Sequence, residues 1–125
     1  MTQTVDATRT ERPLLIGGRP VTGGPTEPVF FPYDGSEIGR VGVADDALVE
    51  EALETAAAAA PEVAALPPWR RAEILLAAAQ LTQERREALA RQMTLETGLA
   101  IWESRIEVDR TVEIFRGAGE EARRI

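Results

Sequence analysis

The chain of 125 residues contains no cysteine, no histidine and no lysine. The first absence excludes a disulfide scaffold, a zinc ribbon and a cysteine nucleophile within these residues. The second removes the commonest metal ligand and the commonest general base at neutral pH. The third makes all 14 basic residues arginine. They are outnumbered by 21 acids, for a net charge of −7, so a broad basic face for nucleic acid is not expected. Long apolar runs are missing too. None approaches the ~20 residues that cross a bilayer, and no apolar segment of signal-peptide type opens the chain. The expectation is a cytoplasmic protein without a membrane or nucleic-acid partner. If the chain is one domain, it buries roughly two-thirds of its unfolded surface.

Residues 1–12 are polar and aperiodic and read as a disordered tail. Leu14-Leu15-Ile16, Gly17-Gly18 and Arg19-Pro20-Val21 then read as a strand, a tight turn and an edge strand. Glycine tolerates the positive φ that primed turns need, and proline cannot donate to a ladder. Thr22–Pro28 reads as a loop and Val29-Phe30-Phe31 as a short strand. Pro32-Tyr33-Asp34-Gly35 carries turn chemistry, and Glu37–Val43 closes a third strand.

From Asp45 the period changes from two to about 3.6. Asp45 is suited to cap a helix whose stripe is Val49, Ala52, Leu53, Ala56 and Ala60, with Pro61 ending it. Pro67-Pro68 opens a second helix with Ile74, Leu75, Ala78 and Leu81 on its core face. A further helical stretch passes through Ala88, Leu89, Met93 and Leu95, either continuous with the second helix or broken near Gln83. Gly98 is placed to stop it. A last helix from about Ala100 carries Ile101, Val108, Val112, Phe115 and Ala122 on one stripe. The expected fold class is α+β: short strands and a hairpin, then three to four helices.

Few residues suggest chemistry. Gly17-Gly18 and Gly23-Gly24 match no phosphate-binding pattern and open no helix, so they read as turn glycines. Glu50, Glu51 and Glu54 read as a solvated helix face rather than a metal site. Arg110 stands apart, because Ile106 and Ile114 lie one turn either side of it. It has two readings: an ion pair with Glu107 or Glu113, or a guanidinium fork aimed at an anionic ligand.

Taken in order, several motifs resemble one family. They are L-x-I-G-G-x-x-V, F-P-Y-D-G-S-E-I-G-x-V, the alanine-rich helix, W-R-R-A-E-I-L, E-A-L-A-R-Q-M-T-L-E-T-G and E-V-x-R-T-V-E-I-F-R-G-A-G-E-E-A-R-R-I. This order resembles the N-terminal segment of the aldehyde dehydrogenase superfamily, from about Leu14 to Ile125. Glu96-Thr97-Gly98 matches the family's glutamate–threonine–glycine, although Leu99 and Ala100 replace the lysine and proline that often follow. Val63 sits where many members carry an aromatic residue.

The resemblance implies that residues 13–125 are an incomplete N-terminal part of the α/β dinucleotide-binding domain of a roughly fourfold longer enzyme. Such an enzyme oxidises aldehydes to acids with NAD or NADP through a cysteine thioester. The family's cysteine, its glutamate base and its glycine-bearing cofactor loop lie downstream of this segment. No catalytic, cofactor-binding or metal-binding residue is therefore assigned here. The segment alone is expected to hold no cofactor and to be inactive. Its implied partners are the remainder of the enzyme chain and the other subunits of a homodimer or homotetramer. The Glu-Val-x-Arg-Thr stretch looks most like the branches acting on phosphorylated or other anionic aldehydes. Those branches are the non-phosphorylating glyceraldehyde-3-phosphate, lactaldehyde and phosphonoacetaldehyde dehydrogenases. In the first of them the arginine matching Arg110 contacts the substrate phosphate, so Arg110 is the one candidate substrate-binding residue. The competing reading is a stand-alone helical interaction module without catalysis.

Overall fold

A computed structural model describes residues 10–22 and 24–125. The chain divides at Pro61 into two compact units. The first unit holds five short strands: β1 (Thr10–Arg12), β2 (Leu14–Ile16), β3 (Arg19–Val21), β4 (Thr26–Phe30) and β5 (Glu37–Gly42). After them, α1 runs from Asp46 to Ala64. The second unit contains α2 (Pro68–Glu84), α3 (Arg86–Thr97) and α4 (Ile101–Glu121). This is the expected order of strands followed by helices.

Two small sheets form in the first unit. β2 and β3 pair antiparallel, with Leu14 opposite Val21. Gly17 and Gly18 turn between them at φ of 57° and 75°, the left-handed region that favours glycine. The second sheet has the order β1-β5-β4. β5 is antiparallel to β4 and parallel to β1. Two expectations change here. Thr10–Arg12, assigned to the tail, is a strand, and residues 1–9 of that tail lie outside the described residues. Thr26–Pro28, assigned to a loop, pairs with β5. Polar composition hid both, because a strand pairing at a sheet edge draws its bonds from the backbone rather than from apolar side chains.

Arg40 of β5 fastens β4 through its side chain. Its Nε donates to Thr26 Oγ1 and its Nη2 to the Thr26 carbonyl, both at 3.0 Å. The turn between these strands uses Asp34, whose carboxylate accepts from the Ser36 amide at 2.9 Å and its hydroxyl at 2.6 Å. Both bonds hold the Asp34 carboxyl below its ordinary pKa. A side chain at Gly42 would meet the Leu14 Cγ at 3.3 Å and the Leu14 amide nitrogen at 3.4 Å, so the close passage of β5 beside β2 favours a residue without Cβ.

α1 begins as its sequence implies: Asp45 Oδ1 accepts from the Leu48 amide at 2.9 Å. It does not stop at Ala60. Pro61 lies inside the helix, which continues to Ala64. Proline withholds one donor, and the carbonyl that loses its partner belongs to exposed Ala57, where water can reach it. No residue of α1 is buried, and Val49 and Leu53 of its apolar stripe are largely exposed.

The second unit is built on small residues. Ala72 and Ala79 of α2, Ala90 of α3, and Ser104, Val108, Val112 and Gly119 of α4 are buried. Val108 and Val112 lie on the stripe expected for the last helix. On α2 the contact face is rotated from the expected one: Ala72 and Ala79 are inside, Leu75 and Ala78 are half-buried, and Ile74 and Leu81 are about half exposed. The rotation follows from close approach, because the face with the smallest side chains lets two helix axes come together. Gly119 marks the contact: a Cβ there would lie 3.1 Å from the Leu76 Cγ and 3.5 Å from the Ala72 carbonyl oxygen.

The break between α2 and α3 falls at Arg85, whose φ of −97° and ψ of 12° leave the helical region. Gly98 ends α3 at φ 76°, its amide bonded to the Thr94 carbonyl at 2.9 Å. Ala100 then caps α4, its amide donating to Glu103 Oε2 at 3.2 Å. Alanine offers no side-chain acceptor in return, so only half of a capping box forms.

Gly119 and Gly117 make a matched test of this packing. A Cβ at Gly117 meets nothing within 4 Å. Gly117→Ala should therefore stabilise the chain by up to ~1 kcal/mol through helix propensity. Gly119→Leu should destabilise it by about 1–3 kcal/mol through overpacking. Urea midpoints of the two variants against the parent check the opposite signs.

Candidate functional site

The candidate surface lies on α4. Val108 and Val112 turn one face of this helix inward, which sends Arg110 outward. The Arg110 side chain is 63% exposed. Its Nη1 donates to both Glu107 oxygens, at 3.0 and 3.2 Å. The ion-pair reading of the sequence is therefore realised with Glu107; Glu113 is bound instead by Arg116 at 2.7 Å. Arg110 Nη2 and Nε make no bond among the described residues, so part of the fork is free for another acceptor. Ile106 and Ile114 stand on either side, 48% and 62% exposed. Trp102, one further turn back, is 60% exposed. α4 thus carries apolar side chains on two faces, one packed and one open.

A second group on α4 escaped the sequence reading. Arg86, at the start of α3, grips Asp109 with two parallel bonds, from Nε to Oδ1 and from Nη2 to Oδ2, both at 2.6 Å. Glu87, also on α3, accepts from Arg105 of α4 at 3.0 and 2.9 Å and from Arg86 at 2.8 Å. Bidentate pairing of this kind is the strongest form of the arginine–carboxylate bond. Nothing in the spacing announces partners 23 and 18 residues apart. The Arg86 bonds hold the Asp109 carboxyl below its ordinary pKa, and the Arg105 bond does the same for Glu87.

The buried Ser104 hydroxyl shares a bond of 2.9 Å with the Thr94 hydroxyl, which satisfies both at the other end of the α3–α4 contact. A groove of about 520 Å³ runs beside α3, lined by Leu89, Met93, Val108 and Thr111 among others. In the first unit a groove of about 300 Å³ is walled by Leu14, Leu15, Leu48, Val49 and Leu53.

The residues present do not fit a dinucleotide. Gly17-Gly18 turn a hairpin and open no helix, and α2 begins on Pro68, which has no N–H to offer phosphate. Gly23 lies outside the described residues. Glu50, Glu51 and Glu54 are exposed on α1, and no cluster of acids placed to hold a metal occurs among the described residues. No helix among them is long and apolar enough to cross a membrane.

The sequence model of the aldehyde dehydrogenase family matches residues 21–125. Betaine aldehyde dehydrogenase of Cereibacter sphaeroides is 40% identical over 93 residues, which are 72% of this chain and 19% of that enzyme. The crystal structure of an aldehyde dehydrogenase from Physcomitrella patens, in complex with the reaction product succinate, superposes with a TM-score of 0.91 at 30% identity. It covers 94% of this chain and 25% of that one. The crystal structure of PnpE in complex with nicotinamide adenine dinucleotide gives a TM-score of 0.87 at 38% identity, covering 93% and 24% of the two chains. The chain therefore spans about a fifth of the length of its curated relatives and about a quarter of the solved chains.

The ion cluster makes the second unit acid-sensitive. Asp109 and Glu87 have lower pKa values folded than unfolded, so their contribution is fully present above the unfolded values, near 4. It is lost as pH falls through the depressed folded values. Thermal midpoints should therefore be flat from neutral pH to about 5 and fall below about 4. Asp109→Asn should flatten that acid limb relative to the parent.

Proposed function

The chain belongs to the aldehyde dehydrogenase family, and from that premise we propose that it serves as the N-terminal part of the cofactor-binding domain of a longer NAD(P)-dependent enzyme that oxidises aldehydes to acids. Its coverage of only part of relatives about four times as long carries this reading. The absence of cysteine from these residues supports a thioester chemistry performed elsewhere in that enzyme. The cofactor, NAD or NADP, is held by other parts of it, in keeping with the poor fit of the residues here. By the same family resemblance the complete enzyme is a cytoplasmic homodimer or homotetramer.

Arg110 is proposed as a contact to the anionic group of the aldehyde. Three observations support it: the side chain is exposed, it keeps Nη2 and Nε outside its pair with Glu107, and it is bracketed by two exposed isoleucines. Where the rest of the enzyme covers this face, a charge-assisted bond from the guanidinium would be worth about 1.5–3 kcal/mol.

The experiment has two stages. The 125-residue chain, given NAD(P) and a panel of aldehydes, should form no reduced nicotinamide; turnover above a heat-killed control overturns the fragment reading. In the complete enzyme Arg110→Ala should raise KM for a phosphorylated aldehyde by roughly tenfold to a hundredfold with kcat less affected, because the contact forms in the ground state too. Arg110→Lys should recover only part, since lysine lacks the planar fork. A neutral aldehyde of similar size should be nearly indifferent. Equal losses on both substrates assign Arg110 to holding α4 through Glu107. Preference for betaine aldehyde over the anionic substrate would refute the anionic reading while leaving the family assignment intact.

A further inference from the structure

We propose that in the 125-residue chain α3 is a latched helix, held on α4 by the cluster of Arg86, Glu87, Arg105 and Asp109, so that loosening the cluster frees α3 while α2 and α4 stay packed together.

The three helices of the second unit are not held alike. α2 and α4 meet through buried Ala72, Ala79, Val108, Val112 and Gly119. α3 packs along α4 and scarcely touches α2. It buries one residue, Ala90, while Leu89 is 39% exposed and Met93 and Leu95 are half-buried. Apolar burial is the main adhesive between helices, and α3 has little of it. Its side-chain hydrogen bonds to α4 stand at two ends. Thr94 meets Ser104 near Gly98, and the four-residue cluster closes the other end.

The cluster exchanges charge in both directions. Arg86 of α3 reaches Asp109 of α4, and Arg105 of α4 reaches Glu87 of α3. Two positive and two negative groups balance, so removing one acid leaves an excess of positive charge on the contact. α2 sends no charged side chain into the cluster among the described residues; Glu84 at its end accepts from Gln80 instead. The side chains are partly exposed, Arg86 at 28% and Arg105 at 41%, so dissolved salt competes for them.

Both ends of α3 are built to bend. Arg85 already lies outside the helical region, and Gly98 is left-handed, followed by extended Ala100. Movement between these points disturbs neither neighbouring helix. It uncovers the Val108 side of α4 and widens the groove beside Leu89 and Met93. α3 is thus a low-stability element on a more stable pair, the arrangement from which opening segments are drawn.

Hydrogen exchange on the 125-residue chain tests this. The conditions are low salt and about 1 M NaCl, where the screening length falls to about 3 Å. The variants are Asp109→Asn and Glu87→Gln, with Glu113→Gln as a control from a surface pair outside the cluster. High salt or either cluster variant should speed exchange of amides 87–97 by roughly three- to tenfold, the effect of losing one or two partly exposed pairs. Amides of Ala79, Val108 and Val112 should keep their rates, and Glu113→Gln should change nothing in α3. Unchanged α3 rates overturn the latch. Equal acceleration of all three helices, or global unfolding of a cluster variant, also overturns it, because α3 is then one cooperative unit with the others. Absence of protection anywhere in the parent chain overturns it as well. None of these outcomes depends on Arg110.

Discussion

The close approach of α2 and α4 is the contact on which the second unit depends. It requires backbone at Gly119 to lie where a side chain would otherwise stand, against Leu76 and the Ala72 carbonyl. Once that crossing is set, Ala72 and Ala79 are forced inside, and the larger Ile74 and Leu81 are carried outward. The same crossing turns Val108 and Val112 inward and so sends Arg110, Ile106 and Ile114 to the opposite side of α4. The candidate surface is thus a geometric consequence of a glycine nine residues further along the helix.

Charge then completes what apolar packing leaves undone. α3 buries Ala90 alone, and the arginine–carboxylate cluster adds bonds to α4 at its first turn. Partly exposed ion pairs are individually weak, yet bidentate geometry and sharing among four groups make this set more than a surface decoration. Arg110 and Glu107 form the opposite case, an i, i+3 pair within one helix that stabilises it by a few tenths of a kcal/mol. One set of charges fastens two helices, while the other stands at an open face where a ligand can compete for the guanidinium.

The exposed apolar residues fit a membership in a larger fold. α1 buries nothing, although its stripe of Val49, Ala52 and Leu53 is regular. α4 shows apolar side chains on both faces. A helix with two apolar faces suits the interior of a large protein, in keeping with relatives about four times as long as this chain.

Local chemistry was legible in the sequence wherever neighbours decide the outcome. The glycine turn at Gly17-Gly18, the Asp34 turn, the Asp45 cap, the proline start of α2 and the Gly98 stop all depend on residues within four positions of one another. Family membership was legible too, because it rests on the order of such short motifs. The Arg110–Glu107 pair was one of two local options, since helical spacing brings both Glu107 and Glu113 within reach. Tertiary structure alone decided which face of α2 is buried, that β1 pairs with β5, and that Arg86 finds Asp109. Pro61 does not end α1 as its sequence implies: the donor it withholds leaves the carbonyl of exposed Ala57 open to water, and exposure is a property of the fold. Contacts between residues 18 or 23 positions apart leave no trace in periodicity, because they depend on how two helices, here α3 and α4, come to lie side by side.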